Sequence, residues 1–217
     1  MNEQAYLRGK VFAIGLHKTG TTSLATHLES LGYRTVHYPR VVDGVAYETL
    51  VAPLVGDKEA VLSVLDPLLR AYDGFTDVPF PGLYRPLAAR YPDAKFILAT
   101  RSLDDWWQSL SKHWLLHKAS RTLNPFERVQ YEDYLPGLRQ ASEQDAALFK
   151  DAHIRHLAAC RVFLPADRLL EIDLDSPTKS DAIARFLCEE QVSFPHLNQS
   201  RRRRGWFPWR PWRTLGI

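Results

Sequence analysis

Short apolar runs alternate with amphipathic stretches along most of the chain. The runs at residues 10–16 and 94–101 have the length and uniform hydrophobicity of buried strands. After the first run, leucines recur at helical spacing, and Gly32 is placed to end that helix. The sequence therefore starts with a strand, a glycine-containing loop and a helix.

The remaining pattern continues this alternation. Further strands are predicted at 33–38, 74–77 and 167–174, and further helices at 58–72, 83–91, 102–114, 141–164 and 179–190. Residues 39–56 and 121–138 lack a regular period and are predicted to be irregular. Repeated βα order predicts an α/β fold with a central, mostly parallel sheet flanked by helices on both faces, and a ligand at the carboxyl ends of the strands.

Composition limits the class of protein. At 217 residues, with 45% hydrophobic and 24% charged residues, the chain is predicted to form a single domain over residues 1–217. The net charge of +3 comes mostly from an arginine- and tryptophan-rich tail at 200–217. We identify neither a signal-peptide pattern nor an apolar run of about 20 residues, so the expected location is cytoplasmic.

The loop after the first strand, GLHKTGTTSL, resembles a phosphate-binding loop. Gly15 and Gly20 allow close approach of the backbone, and the N-terminus of the following helix favours an anion. The predicted phosphate-binding residues are Lys18, Thr19, Gly20, Thr21, Thr22 and Ser23. The alternative is a tight turn between strand and helix, which would require neither the lysine nor the paired threonines.

The position of the lysine distinguishes this loop from a nucleotide-triphosphate loop. Lys18 lies between the two glycines, whereas the usual loop has its lysine after the second glycine. The strand at 94–101 ends in Arg101, where a magnesium-binding Asp would be expected. We therefore expect no metal, and anions neutralised by side chains.

A second anion site is predicted from Arg101 and Ser109. Arg101 ends a strand and Ser109 follows eight residues later, in the next helix, so both can reach the same edge of the sheet. The alternative is that Arg101 pairs with Asp104 or Asp105 and that Ser109 is solvated.

With these two motifs in order, the chain resembles P-loop sulfotransferases that use 3′-phosphoadenosine 5′-phosphosulfate (PAPS). The resemblance covers about residues 10–200 and implies a three-layer P-loop fold. It implies that the loop holds the 5′-phosphosulfate, that Lys18 contacts the leaving phosphate, and that Arg101 and Ser109 bind the 3′-phosphate. His17 departs from the family, which usually has proline there, and Ser23 stands where many members have an adenine-stacking tryptophan.

Two residues are the leading candidates for the proton acceptor, and His37, His113 and His117 are further ones. Asp77 follows a predicted strand and, in Thr-Asp-Val-Pro, occupies the place of the catalytic histidine of cytosolic sulfotransferases. His17 is the second candidate because it lies in the loop and histidine titrates near neutral pH. The acceptor is expected to be a small molecule, a carbohydrate or a lipid.

The tail at 200–217 has several interpretations. By the resemblance, Arg203 and Arg204 close over the 3′-phosphate. Its arginines and tryptophans also suit peripheral contact with an anionic membrane or stacking on nucleic-acid bases, although no nucleic-acid partner is expected. A P-loop kinase of small molecules using ATP and Mg²⁺ is the enzymatic alternative, and an RNA or nucleotide binder is the non-enzymatic one.

Overall fold

The computed structural model describes residues 9–116, 118–190 and 192–195. Within them, five parallel strands form a sheet in the order β2-β3-β1-β4-β7. These strands are β1 (Val11–Ala13), β2 (Thr35–His37), β3 (Gly74–Thr76), β4 (Lys95–Thr100) and β7 (Leu169–Asp173). A separate antiparallel pair joins β5 (Ser120–Thr122) to β6 (Gln140–Ser142).

The helices connect these strands and cover the sheet. They are α1 (Thr21–Ser30), α2 (Tyr47–Val51), α3 (Lys58–Ala71), α4 (Tyr84–Arg90), α5 (Leu103–Leu115), α6 (Pro125–Tyr131), α7 (Ala146–Phe163) and α8 (Lys179–Leu187). In the part of the chain that the structure describes, no helix has the length and hydrophobicity needed to cross a membrane.

Alternation along the central strand builds two cores, one on each face of the sheet. Phe12 and Ile14 pack with α3 and α4 residues, whereas Val11 and Ala13 pack with Leu24 of α1 and its neighbours. Each of these side chains is almost fully buried, and burial of a large apolar side chain contributes about 1.5–3 kcal/mol. The predicted three-layer α/β fold is confirmed.

The sequence prediction was wrong in the two segments described as irregular. Residues 39–56 contain α2, and residues 121–138 contain α6 and end before the partner strand of β5. The helix predicted from residue 141 begins at Ala146, because Ala141 and Ser142 pair with β5. Helix α3 continues through Pro67.

Candidate functional site

The loop between β1 and α1 has a left-handed backbone at two positions. Lys18 has φ 71° and Gly20 has φ 74°. Gly20 is the N-cap residue of α1 and has no side chain to cap the first-turn amides. A ten-residue helix with uncapped amides at its N-terminus is a favourable place for an anion.

The shape of this loop depends on close packing against the sheet. A Cβ atom at Gly15 would lie 2.4 Å from the carbonyl oxygen of Ala99 in β4. Thr19 is fully buried and donates from Oγ1 to the carbonyl oxygen of Leu16 at 2.6 Å. The Thr19 hydroxyl therefore stabilises the loop itself.

Asp77 lies immediately after β3, beside the loop. Its Oδ2 accepts a hydrogen bond from Thr21 Oγ1 at 3.1 Å, and its Oδ1 accepts one from the backbone N–H of Val78 at 2.8 Å. The residue itself has φ 70°. These contacts hold the carboxylate at the N-terminus of α1.

His37, the last residue of β2, joins the same cluster. Its Nδ1 lies 2.8 Å from Thr76 Oγ1, and its Nε2 lies 3.3 Å from Thr22 Oγ1 and 3.6 Å from Asp77 Oδ2. Burial lowers the pKa of His37, and the Asp77 carboxylate partly opposes that effect. From the sequence, His37 is a further candidate for the proton acceptor, ranked with His113 and His117 behind Asp77 and His17; His117 lies outside the described residues.

Lys18 and Arg101 supply positive charge at the loop. Burial lowers the pKa of Lys18, Asp77 raises it, and Arg101 lowers it further, so both charges act on this ammonium group. Arg101 Nε is buried and has no hydrogen-bond partner within the described residues.

The alternative pairing of Arg101 with a neighbouring acid is not observed. Asp104 pairs with Lys150, and Asp105 accepts from Ser102. The guanidinium group is therefore left available for an anion. Of the other predicted phosphate ligands, Ser23 is buried in the first turn of α1 and Ser109 is half-buried on α5. Arg203 and Arg204 lie outside the described residues.

His17 points away from solvent. It is 5% exposed, and its ring packs against Trp114 and Tyr131 with centroid distances of 5.0 and 5.6 Å. Burial lowers the pKa of His17 to about 3. Its Nδ1 contacts Gln130 and its Nε2 is buried. This position does not support the role of proton acceptor considered for His17, because neither ring nitrogen is open to an acceptor molecule.

The tryptophan pair near Arg101 belongs to the core. Trp106 is fully buried and donates from Nε1 to the carbonyl oxygen of His17 at 3.0 Å. Trp107 stacks on Phe149.

A groove of about 400 Å³, within the size range of ligand pockets, lies between α2 and the start of α6. It is lined by Arg40, Val41, Ala46, Glu48, Thr49, Ala52 and Pro125. Tyr38 connects the groove with the Asp77 cluster: its hydroxyl lies 3.5 Å from Glu48 Oε2, and its backbone N–H donates to Thr76. Burial and the neighbouring carboxylates of Glu48, Glu127 and Asp77 raise the pKa of Tyr38 to about 12.

Comparison with known proteins identifies the family. The family described as a sulfotransferase domain matches residues 10–203. The chain belongs to the sulfotransferase family. It is also similar to Ava biosynthesis cluster protein M of Aspergillus versicolor, with 26% identity over 95% of this chain and 88% of that protein.

Among solved structures, the sulfotransferase domain is similar to shikimate kinase from Bacteroides thetaiotaomicron. The TM-score is 0.46 and the identity 13%, over 83% of this chain and 94% of the kinase.

Proposed function

We propose that this sulfotransferase transfers a sulfuryl group from PAPS to a hydroxyl group or an amine of an acceptor, without a metal. One observation carries the proposal: the buried guanidinium Nε of Arg101 has no partner among the described residues, and its charge acts on Lys18 at the phosphate loop. A buried guanidinium nitrogen without a partner is costly unless a ligand accepts a hydrogen bond from it. A donor with two separated phosphate groups would supply that acceptor.

The residues present fit such a donor. Lys18, Gly20, Thr21 and Thr22 would hold the 5′-phosphosulfate at the N-terminus of α1, with Thr19 and Ser23 completing the loop. Arg101 and Ser109 would hold the 3′-phosphate. PAPS, when bound, supplies the sulfuryl group and a phosphate leaving group. Lys18 would stabilise the negative charge that develops on the leaving oxygen.

Asp77 is the proposed proton acceptor. Its carboxylate is oriented by Val78 and Thr21 and lies beside the loop that is proposed to bind the phosphosulfate. It would take the proton from the acceptor's O–H or N–H as the new bond to sulfur forms. His37, 3.6 Å from Asp77 Oδ2, would help to orient that carboxylate.

The groove beside Tyr38 is the proposed acceptor site. Its volume suits a small molecule better than a long oligosaccharide. Val41, 59% exposed, presents apolar surface at its wall, while Arg40 and Glu48 neutralise each other at 3.1 Å. This combination favours a neutral, partly apolar acceptor, including the apolar part of a lipid.

The tail is proposed to contribute to donor binding. Phe194 packs on His27 of α1, with ring centroids 4.8 Å apart. From Pro195 to Arg203 the chain can extend over roughly 26 Å, longer than the roughly 9 Å along α1 from His27 to Thr21, so we propose that Arg203 and Arg204 reach the loop. A vesicle-binding measurement would test whether the same tail also contacts an anionic membrane.

One observation favours a second candidate, a small-molecule kinase. The hydrogen bond from Thr21 to Asp77 places a loop hydroxyl next to an acid at the end of a neighbouring strand. P-loop enzymes use such a pair to bind Mg²⁺. Arg101 stands after β4, where such an acid would be expected, whereas Asp77 follows β3.

Thermal-shift measurements can separate the two functions. Adenosine 3′,5′-bisphosphate is expected to raise the Tm equally in EDTA and in Mg²⁺, and Arg101→Ala should abolish the increase. Arg34→Ala is the matched control, since Arg34 precedes β2 and so lies at the opposite edge of the sheet. Stabilisation by ATP only with Mg²⁺, and none by the bisphosphate, would instead establish the kinase.

A further inference from the structure

His17 and Gln130 form a buried pair between the phosphate loop and α6. The backbone N–H of His17 donates to Gln130 Oε1 at 3.1 Å, and Gln130 Nε2 contacts His17 Nδ1. Both residues are buried, and 113 positions separate them in the chain. The pair therefore connects two elements that the sequence does not bring together.

The geometry fixes the protonation of the ring. Because Gln130 Oε1 accepts from the backbone of His17, the NH₂ group of the same amide must face Nδ1. Nδ1 is then an acceptor, and the proton of the neutral ring lies on Nε2. An imidazolium ring would carry a proton on Nδ1 as well and would lose this contact. Burial, which lowers the pKa of His17 to about 3, keeps the ring neutral at physiological pH.

The same pair reaches the proposed acceptor groove through α6. Pro125, the first residue of α6, lines the groove, and Asn124, its N-cap residue, donates to the hydroxyl of Tyr38 at 3.4 Å. On the loop side, Trp106 holds the carbonyl oxygen of His17. The backbone N–H and the backbone carbonyl of His17 are therefore both held by hydrogen bonds. The N–H is held by α6, the helix whose first residue lines the proposed acceptor groove.

A proline at position 17, the residue usual in the family, would restrict the loop in a different way. Proline has no N–H, so it could not donate to Gln130, but its ring fixes φ covalently. In this chain, the hydrogen bonds between His17 and Gln130 of α6 restrict the loop in place of a proline ring.

We propose that His17 and Gln130 are positioning residues that hold the phosphate loop in its anion-binding conformation and align it with the acceptor groove. The proposal rests on the proposed function for its consequence in catalysis. The conformation of the loop itself can be measured without any ligand.

Three variants separate positioning from general stability. His17→Phe keeps an aromatic ring and removes the ring acceptor, whereas Gln130→Leu removes both hydrogen bonds. Val129→Ala is the matched control, because Val129 is the buried neighbour of Gln130 on α6 but packs in the core on the other side of the sheet from α1. Gln130→Glu can still accept from the backbone N–H of His17, and its second oxygen can accept from the ring once the ring proton moves from Nε2 to Nδ1.

Hydrogen exchange of the peptides covering residues 15–22 is the deciding measurement. His17→Phe and Gln130→Leu should each accelerate exchange of this loop at least about tenfold beyond Val129→Ala, and the double variant should add little to the singles. Gln130→Glu should restore most of the protection, and ¹⁵N spectra should show wild-type His17 protonated on Nε2. The proposal would be overturned if the rate of hydrogen exchange in the loop depended only on the Tm of each variant, so that variants with the Tm of Val129→Ala also had its exchange rate.

Affinity for adenosine 3′,5′-bisphosphate provides the second arm. Calorimetry should show binding about tenfold weaker in the two positioning variants than in Val129→Ala. If the wild-type protein does not bind the bisphosphate, the proposed donor is wrong, but the hydrogen-exchange result still decides whether His17 and Gln130 hold the loop.

Discussion

Thr21 Oγ1 lies 3.1 Å from Asp77 Oδ2, so the phosphate loop and the end of β3 share a hydrogen bond across 56 residues of sequence. This contact places a carboxylate beside the helix N-terminus that is proposed to hold the phosphosulfate. A carboxylate with no other role would repel an anion bound at this helix N-terminus. The position of Asp77 is favourable for catalysis if the carboxylate takes a proton from the acceptor at the edge of the anion site.

Asp77→Asn is expected to separate binding from turnover. The amide keeps the shape and the contact with Thr21 but cannot take a proton at neutral pH. Adenosine 3′,5′-bisphosphate should bind with unchanged or higher affinity, while turnover falls about 10²–10⁴-fold. Calorimetry and a PAPS-coupled assay over a panel of hydroxylated acceptors measure the two effects, and near-normal turnover would remove Asp77 from the mechanism.

Lys18→Met should weaken donor binding through the loss of one charge. The methionine side chain keeps much of the apolar stem, so the loop should stay folded. Loss of a charge-assisted hydrogen bond corresponds to affinity for the bisphosphate that is roughly 10–100-fold lower. Lys95→Met is the control, because Lys95 begins β4 at the opposite edge of the sheet. Equal effects of the two substitutions would argue against a specific role for Lys18.

Gly15→Ala is expected to disrupt the loop by a clash with backbone. The added Cβ would lie 2.4 Å from the carbonyl oxygen of Ala99, and β4 is held on both sides by β1 and β7. Crowding of this kind costs about 1–3 kcal/mol, measurable as a lower urea midpoint. Gly9→Ala provides the comparison, since nothing lies within 4 Å of its Cβ. A Gly15→Ala protein as stable as Gly9→Ala would show that the loop can move away from β4.

Stability should decrease in mild acid because buried histidines are held neutral. His156 is buried on α7, its Nε2 lies 2.6 Å from the carbonyl oxygen of Ile14, and burial lowers its pKa to about 4 from an ordinary 6.5. The unfolded chain therefore binds more protons between these values. The stabilisation is complete above pH 6.5 and decreases as the pH falls toward 4, by roughly 1 kcal/mol per pH unit.

His156→Gln tests this origin of the acid sensitivity. A glutamine amide can still donate to Ile14 and does not titrate. Urea unfolding at pH 7.5, 6 and 5 should show a shallower dependence on pH in the variant than in the wild type. The same slope in both proteins would assign the sensitivity to other groups, such as His153, whose pKa burial also lowers to about 4.

The central sheet was predictable because its strands and their covering helices carry strong local patterns. The run at Lys95–Thr100 is almost wholly buried, and α1 repeats its apolar residues at helical spacing. The segment around α6 was missed because its strands have three residues each and their exposed positions give no clear alternation. One local signal was present: Asn124 and Glu127 form a capping box, which the spacing Asn-Pro-Phe-Glu indicates.

The site was predictable only in part, for a similar reason. Strand ends placed Asp77, Lys18 and Arg101 at one edge, since the carboxyl ends of parallel strands meet there. The environment of His17 depends on Gln130, a residue in the segment without a periodic pattern. No local feature of GLHKTGTTSL could show that its histidine is buried. The positions of Arg203 and Arg204 remain a prediction.

The strand order also places opposite charges on the two sides of the phosphate loop. β1 lies between β3 and β4, so the loop has the carboxylate of Asp77 on one flank and the guanidinium of Arg101 on the other. The electric field between these two charges runs across the loop, parallel to the edge of the sheet. An elongated donor with unequal charge at its ends would enter this field in one orientation, with its more anionic end toward β4 and its reacting end toward β3. Exchange of the two charges, Asp77→Arg with Arg101→Asp, would reverse this field without a change in net charge. It should weaken, rather than abolish, the binding of adenosine 3′,5′-bisphosphate measured by calorimetry, because Lys18 and the N-terminus of α1 stay in place.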